Sequence, residues 1–367
     1  GRGAYGAASQ RPESTLALFY WNTERARVIP VDATPLLIGS GPATSLRLDD
    51  RFVSRRHARL TSEAGRLRVE DLASTNGTLI NGVAVRRATL RPGDALEIGG
   101  ARLLVIDAHR QAGARWYSLR SWVGAEASLF NLRRALVAAQ VNEPVVITGA
   151  TGGGKEVIAD LVAHCGPRAG KPFVTANCAT LDGPTANAEL FGHRAGAFTD
   201  AKHERAGLFL EARDGTLLLD EIGDASADVQ ARLLRVLETR SLRRLGDDQE
   251  RPVACRVIAA TLRDLDQDAA CGRFREDLLH RLRALRIHTA SLQERPDDVE
   301  AIARHHAARK GLFLTPGAVR ALRRHAWPGN VRELLQLLNR AEISATFGRR
   351  AQGKAGCLDV DDIQEAL

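Results

Sequence analysis

Methionine is absent from this 367-residue chain, cysteine occurs five times, and aromatic side chains make up only 5% of it. Cys165, Cys178, Cys255, Cys271 and Cys357 are odd in number and include no C-x-x-C pair, which argues against a disulfide framework or a zinc ribbon and points to reduced thiols in a cytoplasmic protein. No uninterrupted apolar run approaches the ~18 residues that a membrane-spanning helix needs. The opening Gly1-Arg2-Gly3-Ala4-Tyr5 lacks the apolar core of a signal peptide, and the missing initiator methionine is compatible with a start upstream of Gly1.

An apolar fraction of 44% is that of a globular protein, and the length allows two or three domains with cores of their own. The formal net charge of +8 permits an acidic partner, but the arginines are spread through every segment, as expected of a solvated surface.

The chain is organised around Val145-Val146-Ile147-Thr148-Gly149-Ala150-Thr151-Gly152-Gly153-Gly154-Lys155-Glu156. An apolar strand, a glycine-rich loop and then a helical pattern let successive backbone N–H groups converge on phosphate oxygens, with Lys155 as a point charge at the terminal phosphates. The spacing from Gly149 to Lys155 fits G-x-x-x-x-G-K, but Glu156 stands where a magnesium-binding hydroxyl usually follows. Further on, Leu217-Leu218-Leu219-Asp220-Glu221 has the form of a buried parallel strand presenting acids at its carboxyl end. There Asp220 would hold magnesium and Glu221 would orient an attacking water.

Residues 1–15, rich in glycine, alanine and polar groups, read as a flexible tail. From residue 16 to 108 short β-like runs alternate with turn signals at Asn76-Gly77, Asn81-Gly82 and Pro92-Gly93, the pattern of a β-sandwich. Ser54-Arg55-Arg56-His57-Ala58, Asp71-Leu72-Ala73-Ser74-Thr75-Asn76-Gly77-Thr78, Asn81-Gly82 and Gly93-Asp94 resemble the forkhead-associated (FHA) domain, a sandwich that reads phosphothreonine peptides. The resemblance implies that Ser54 and Arg55 contact the phosphate, that Thr75 and Asn76 hold the peptide backbone, and that His57 braces the loops. Gly39-Ser40 stands where that family usually has Gly-Arg, so a docking module without phosphate dependence is the alternative. Residues 109–121 show no clear periodicity and read as a linker.

The segment Glu189-Leu190-Phe191-Gly192-His193-Arg194-Ala195-Gly196-Ala197-Phe198-Thr199-Asp200-Ala201 resembles the surface loop of bacterial enhancer-binding proteins, the AAA+ ATPases that activate sigma-54 RNA polymerase. That family also carries glutamate after the loop lysine. Carried over residue by residue, the resemblance implies an ATP site with magnesium at Gly149, Gly152, Gly153, Gly154, Lys155, Glu156 and Asp220, with Glu221 as the water-activating acid. It makes Asn177 the polar switch beside that glutamate, Thr261 a sensor, and Arg275 and Arg281 fingers reaching a neighbouring subunit's nucleotide. Arg332 in Trp327-Pro328-Gly329-Asn330-Val331-Arg332-Glu333-Leu334 becomes the lid sensor, and Gly196, Ala197, Phe198, Thr199, Asp200 and Ala201 the sigma-factor contact loop. A hexameric ring is implied by the resemblance alone.

The expected organisation is therefore multidomain: an all-β FHA sandwich, then an α/β AAA+ P-loop NTPase subdomain over 122–289, a helical lid over 290–348, and a tail over 349–367. Those last residues are too few for a helix-turn-helix domain, so no direct DNA-binding domain is expected in this chain. The expected partners are the sigma-54 RNA polymerase holoenzyme and a phosphothreonine protein. Asp200 adds a carboxylate to the loop tip and Leu262 replaces an asparagine, leaving two alternatives open: a non-catalytic nucleotide-binding scaffold, and a remodeller of another target.

Overall fold

The computed structural model describes residues 12–21, 26–63, 66–180, 183–197, 203–349 and 356–367. The chain divides into two compact units, residues 1–133 with 292–367, and residues 134–291.

In the first unit two sheets face each other. One carries Leu46–Arg47, Leu36–Gly39, Ala58–Glu63, Arg66–Asp71 and Arg87–Leu90 in that order. The other is built on the long strand Ala101–Gln111, which pairs with Glu13–Trp21, Ala95–Ile98 and Ala114–Leu119. Period-two alternation sets the facing: Ala58 and Leu60 point inward from one strand and Leu67 and Val69 from the next, meeting Leu18, Leu96, Leu103 and Val105 from the opposite sheet.

The presumed linker at 109–121 is instead sheet. Ala101–Gln111 continues past residue 108, turns at Ala112 and Gly113, both with positive φ, and returns as Ala114–Leu119 before Trp122–Gly124. Such a two-residue turn needs two left-handed residues, and alanine is an unusual occupant of the first position, so the turn gave no signal. Trp116, Tyr117, Ser118 and Leu119 are all buried, which erases the alternation that marks a strand with one wet face.

The lid, from Leu292 onward, packs the helices Pro296–Arg309, Pro316–Arg324 and Asn330–Arg349 around Leu322, Trp327, Leu334 and Leu338. The expected tail contributes to this core as well. Cys357–Leu358 pairs in parallel with Phe313–Leu314, and Leu358 and Ile363, from the helix Val360–Ala366, are buried with the lid residues. Two apolar residues in an acidic stretch were too few to show that helix in the sequence. The Trp-Pro-Gly-Asn segment is a tight corner in which Trp327 and Asn330 both take positive φ. The Trp327 Nε1–H donates to the Leu322 carbonyl, and the Asn330 side-chain oxygen accepts from the buried Leu292 N–H at 2.7 Å.

The second unit is a five-stranded parallel sheet in the order Phe173–Asn177, Thr216–Asp220, Arg256–Thr261, Val145–Gly149, Leu285–Thr289. Val145–Gly149 is buried along its whole length, as the continuous apolar run requires. The helix Leu129–Ala139 buries Leu129, Leu132 and Leu136 as its spacing predicts, but Val137 faces outward.

Replacing Asn330 with alanine removes the acceptor of a buried N–H while leaving a side chain in a left-handed backbone. The expected cost is about 1–3 kcal/mol in urea unfolding followed by circular dichroism. An unchanged midpoint would show that the corner does not depend on this bond.

Candidate nucleotide and phosphopeptide sites

The nucleotide site grows from the carboxyl edge of the parallel sheet, where open α/β sheets bind their ligands. Gly149 ends the strand Val145–Gly149 at φ 149°, and a β-carbon there would lie 2.0 Å from the Thr289 hydroxyl, so only glycine lets the chain pass. The loop then enters the helix Lys155–His164 through Gly154 in a left-handed conformation. Lys155 is buried. Its Nζ donates to the Gly149 carbonyl at 3.1 Å and lies 3.4 Å from Glu221 Oε1, while Glu156 is exposed on the helix's first turn.

Thr216–Asp220 delivers the two acids. Asp220 caps the next residue, its Oδ1 accepting from the Glu221 N–H at 3.1 Å. Burial, and then the adjacent Glu221 charge, push the Asp220 carboxyl above the ordinary aspartate range. Glu221 stands at φ 50°, a conformation costing a non-glycine residue ~1–2 kcal/mol, which turns its carboxylate back over the loop. Its second oxygen, Oε2, accepts from the Leu262 N–H at 3.0 Å. The polar residue expected to switch this glutamate is otherwise occupied: the Asn177 side-chain oxygen accepts from the Ala179 N–H at 3.0 Å, although Asn177 pairs in register with Asp220.

Thr261 is fully buried and its hydroxyl accepts from the Arg263 N–H, so the end of that strand meets the acids through backbone. Arg263 in turn bridges Asp268 at 2.6 Å and Asp224 at 3.0 Å, fastening the two loops at the sheet edge to each other. Sequence reasoning missed the Leu262 contact because a main-chain N–H carries no residue signature. It also passed over Cys178, whose thiol burial and the charges of Asp220, Asp224 and Glu221 push up to about 12.

Arg275 stands just before one short helix, Glu276–Leu282, and Arg281 lies in its last turn. Arg275 holds Asp277 through two bonds, at 3.0 and 2.7 Å, and its N–H donates to the buried Gln230 side chain. Arg281 is exposed in the last turn. Arg332 is exposed in the first turn of the lid helix Asn330–Arg349.

The expected sigma-contact loop is described as far as Ala197; Phe198, Thr199, Asp200 and Ala201 lie outside the described residues. Its stem is closed by backbone: His193 and Arg205 exchange both N–H···O bonds, and Leu245 donates to the Gly192 carbonyl. Gly192 and Gly207 press together there with positive φ, and a β-carbon on either would come within 2.3 Å of the facing main chain.

On the sandwich, Ser54, Arg55, Thr75 and Asn76 lie on two adjoining loops. The Ser54 hydroxyl accepts from the Thr75 N–H at 3.1 Å and lies 3.4 Å from its hydroxyl, and Asn76 donates to the Phe52 carbonyl at 2.8 Å. His57 is buried between the loops, Nδ1 accepting from the Ser54 N–H and Nε2 facing the Gly77 carbonyl, which assigns the proton to Nε2. Burial alone would raise the Asp71 carboxyl, but hydrogen bonds from Ser74 and Thr78 outweigh it and hold the group below the ordinary range. Ser40, at the position of the missing arginine, donates its hydroxyl to the Val53 carbonyl at 2.8 Å and so braces the loop from behind.

A glycine-lysine phosphate loop over paired acids on a parallel sheet, a helical lid, and a sandwich with a polar loop cluster define a P-loop nucleotide-binding protein of the AAA+ class joined to an FHA domain. Residues 123–288 match the sigma-54 interaction domain, 293–351 the AAA+ ATPase lid domain and 36–99 the FHA domain. These matches place the α/β and lid parts among the AAA+ ATPases of the sigma-54 interaction type and the sandwich among FHA domains. The chain is 44% identical over 241 residues to the anaerobic nitric oxide reductase transcription regulator NorR of Aeromonas salmonicida, covering 64% of this chain and 47% of that protein. NorR of Aeromonas hydrophila is 46% identical over 238 residues, 63% of this chain and 47% of that one. The crystal structure of NtrX from Brucella abortus in complex with ATP superposes with a TM-score of 0.59 at 30% identity, covering 66% of this chain and 54% of that one. The chain thus spans about half the length of the curated relatives it matches. Among the described residues no helix is long and apolar enough to cross a membrane.

The thiolate is the reactive form of cysteine, and a pKa of about 12 for Cys178, or of about 11 for Cys255, leaves under about one part in 10³ ionised at pH 8. Iodoacetamide on the native chain is therefore expected to label the exposed Cys271 at least about tenfold faster than either buried thiol, read by peptide mass spectrometry. Equal labelling would mean that the sheet edge opens.

Proposed function

We propose that this chain hydrolyses ATP in a homo-oligomeric ring, hexameric as in the family it resembles, and couples turnover to remodelling of sigma-54 RNA polymerase in the cytoplasm. The sandwich regulates that cycle by binding a phosphothreonine protein. The observation that carries the reading is the buried Lys155 resting 3.4 Å from Glu221, with Asp220 beside it at the end of the same strand. The NtrX and NorR relatives, one of them solved with ATP, support it.

The residues present fit magnesium held together with a nucleotide. Asp220 and Glu221 form a crowded acidic pair, and among the described residues no cluster of three metal-ligating side chains exists, which suits an ion that takes one or two carboxylates and completes its shell with phosphate oxygens and water. Bound there by Asp220, magnesium would neutralise phosphate charge. The backbone of Gly149, Gly152, Gly153 and Gly154 cradles the phosphates, and Lys155 exchanges the Gly149 carbonyl and Glu221 for phosphate oxygens. That exchange frees Glu221 Oε1 to take a proton from the attacking water, while the Leu262 N–H still fixes Oε2. Arg275 and Arg281 supply cations to a neighbouring subunit's transition state, and Arg332 reports nucleotide to the lid. A non-catalytic scaffold is the second reading, favoured by Asn177 being turned to the Ala179 N–H instead of to Glu221.

Steady-state ATP turnover is expected to rise with protein concentration and to fall at least about 100-fold in both Glu221→Gln and Arg275→Ala. Turnover no higher than that of Glu221→Gln, despite nucleotide binding, would leave the scaffold. Co-purification of sigma-54 with a transition-state nucleotide analogue separates the polymerase target from another.

The raised Asp220 carboxyl fixes the sign of a pH effect. A cation must displace its proton, so magnesium–nucleotide affinity is expected to weaken as pH falls through that raised value, beginning at a higher pH than an ordinary aspartate would impose. Titration calorimetry should show this dependence in the wild type and lose it in Asp220→Asn.

A further inference from the structure

The hairpin that the sequence left as a linker ends against the lid helix Pro296–Arg309, and the contact is built from buried polar groups as well as apolar ones. Trp116 packs with Ala125 and Ala301 in a cluster closed to solvent. His109 stacks on Trp116 with ring centroids 5.4 Å apart, and its other side meets the edge of His305, on the lid helix, at 5.4 Å. Asp298, also on that helix and almost fully buried, accepts from the Ala125 N–H at 2.8 Å and the Ser128 hydroxyl at 2.6 Å. Arg304, buried one turn before the helix ends, donates to Gln111, the last residue of the long strand, at 3.2 Å, and to Glu300 at 2.8 Å.

Two buried charges of the lid, each ion-paired within the lid itself, Asp298 with Arg295 at 3.0 Å and Arg304 with Glu300 at 2.8 Å, complete their hydrogen bonds outside it: Asp298 with Ala125 and Ser128 just past the hairpin, Arg304 with the hairpin's own Gln111. Such groups tolerate little displacement, because separation strips hydrogen bonds from charges that burial keeps from water. The strand Ala101–Gln111 places Leu103 and Val105 in the sandwich core at one end and Gln111 against the lid at the other, about 30 Å along one stiff element. Glu13–Trp21 pairs beside it as far as Arg110, so the strand is supported almost to its tip. A domain hung on a free tether requires none of this.

We propose that the sandwich and the lid form one mechanical body, fastened by the contact of His109, Gln111 and Trp116 with Ala301, Arg304 and His305 and steadied by Ala125 and Ser128, just past the hairpin, on Asp298, and that the sandwich controls ATP turnover through this contact. The regulatory half of the inference rests on the ATPase reading above; the fastening itself does not. A partner held at Ser54, Arg55, Thr75 and Asn76 then acts on the body that carries Arg332, and its influence passes along the strand Ala101–Gln111.

The test uses the full chain, with Gln111→Ala and His305→Ala as mild variants that leave both cores untouched, and Asp298→Ala as the severe one. Hydrogen–deuterium exchange is read at Ala114–Leu119 and at Pro296–Arg309, beside ATP turnover. In both mild variants the two segments are expected to lose protection together, by about fivefold or more, with turnover per subunit shifted by about threefold or more in either direction. Faster exchange in the hairpin with the lid helix unchanged would overturn the fastening, and joint loosening with unaltered turnover would overturn the control. A wild type that turns over no ATP defeats the ATPase reading and with it the control, while the exchange result still decides the fastening. Should Asp298→Ala fail to fold, the two mild variants carry the decision.

Discussion

Two carboxylates at the end of one buried strand repel each other, and the second unit is arranged around keeping them there. Burial first, and then its neighbour's charge, makes Asp220 hold its proton more tightly than a free aspartate does, while Glu221 adopts a strained backbone that swings its charge toward Lys155. That lysine is buried, so its ammonium needs partners too, and it finds them in the Gly149 carbonyl and Glu221. Each group is tolerable because the others are present. A polyanion with a divalent cation would meet the same needs better, which is why an arrangement of this kind works as a receptor for nucleotide: binding replaces an internal compromise with a full set of charges.

The glutamate is secured mainly by backbone. Leu262 offers its N–H, Thr261 turns its hydroxyl to the Arg263 N–H, and Arg263 ties the loop after its strand to the loop after the acids through Asp224 and Asp268. The position of the carboxylate therefore depends on the relative placement of two strand ends. A leucine where the enhancer-binding family usually has asparagine is compatible with this, since the contact made here uses none of its side chain.

Much of this was legible in the sequence because it depends on residue type. Glycines followed by lysine mark a phosphate loop of this kind, a buried aliphatic run ending in acids marks the strand beside it, and the Ser54 and Thr75 loops carry side chains whose chemistry is specific. What escaped notice lacks such a signature. The strand through residues 109–121 is covered on both faces and turns on an alanine, so neither alternation nor turn chemistry marked it. Asp298 and Arg304 read as ordinary helix-surface charges, because burial of a charge is decided by what packs over it. The final helix, Val360–Ala366, was hidden for a similar reason: Asp359 and Asp362 cap its start, and Ile363 with Ala366 anchors it in an otherwise acidic stretch.

The stem of the loop that begins at Gly192 illustrates a different kind of constraint. The side-chain space of Gly192 is filled by the main chain of Arg205 and Ala206, and that of Gly207 by the main chain of Phe191 and Gly192, so neither position tolerates even a methyl group. Compensation by a second change is closed off, since the atoms in the way are main chain, which no substitution shrinks. In an evolving lineage the two would be lost together with the stem or kept together with it, while the residues beyond them on the loop remain free to vary and to be selected for new surfaces.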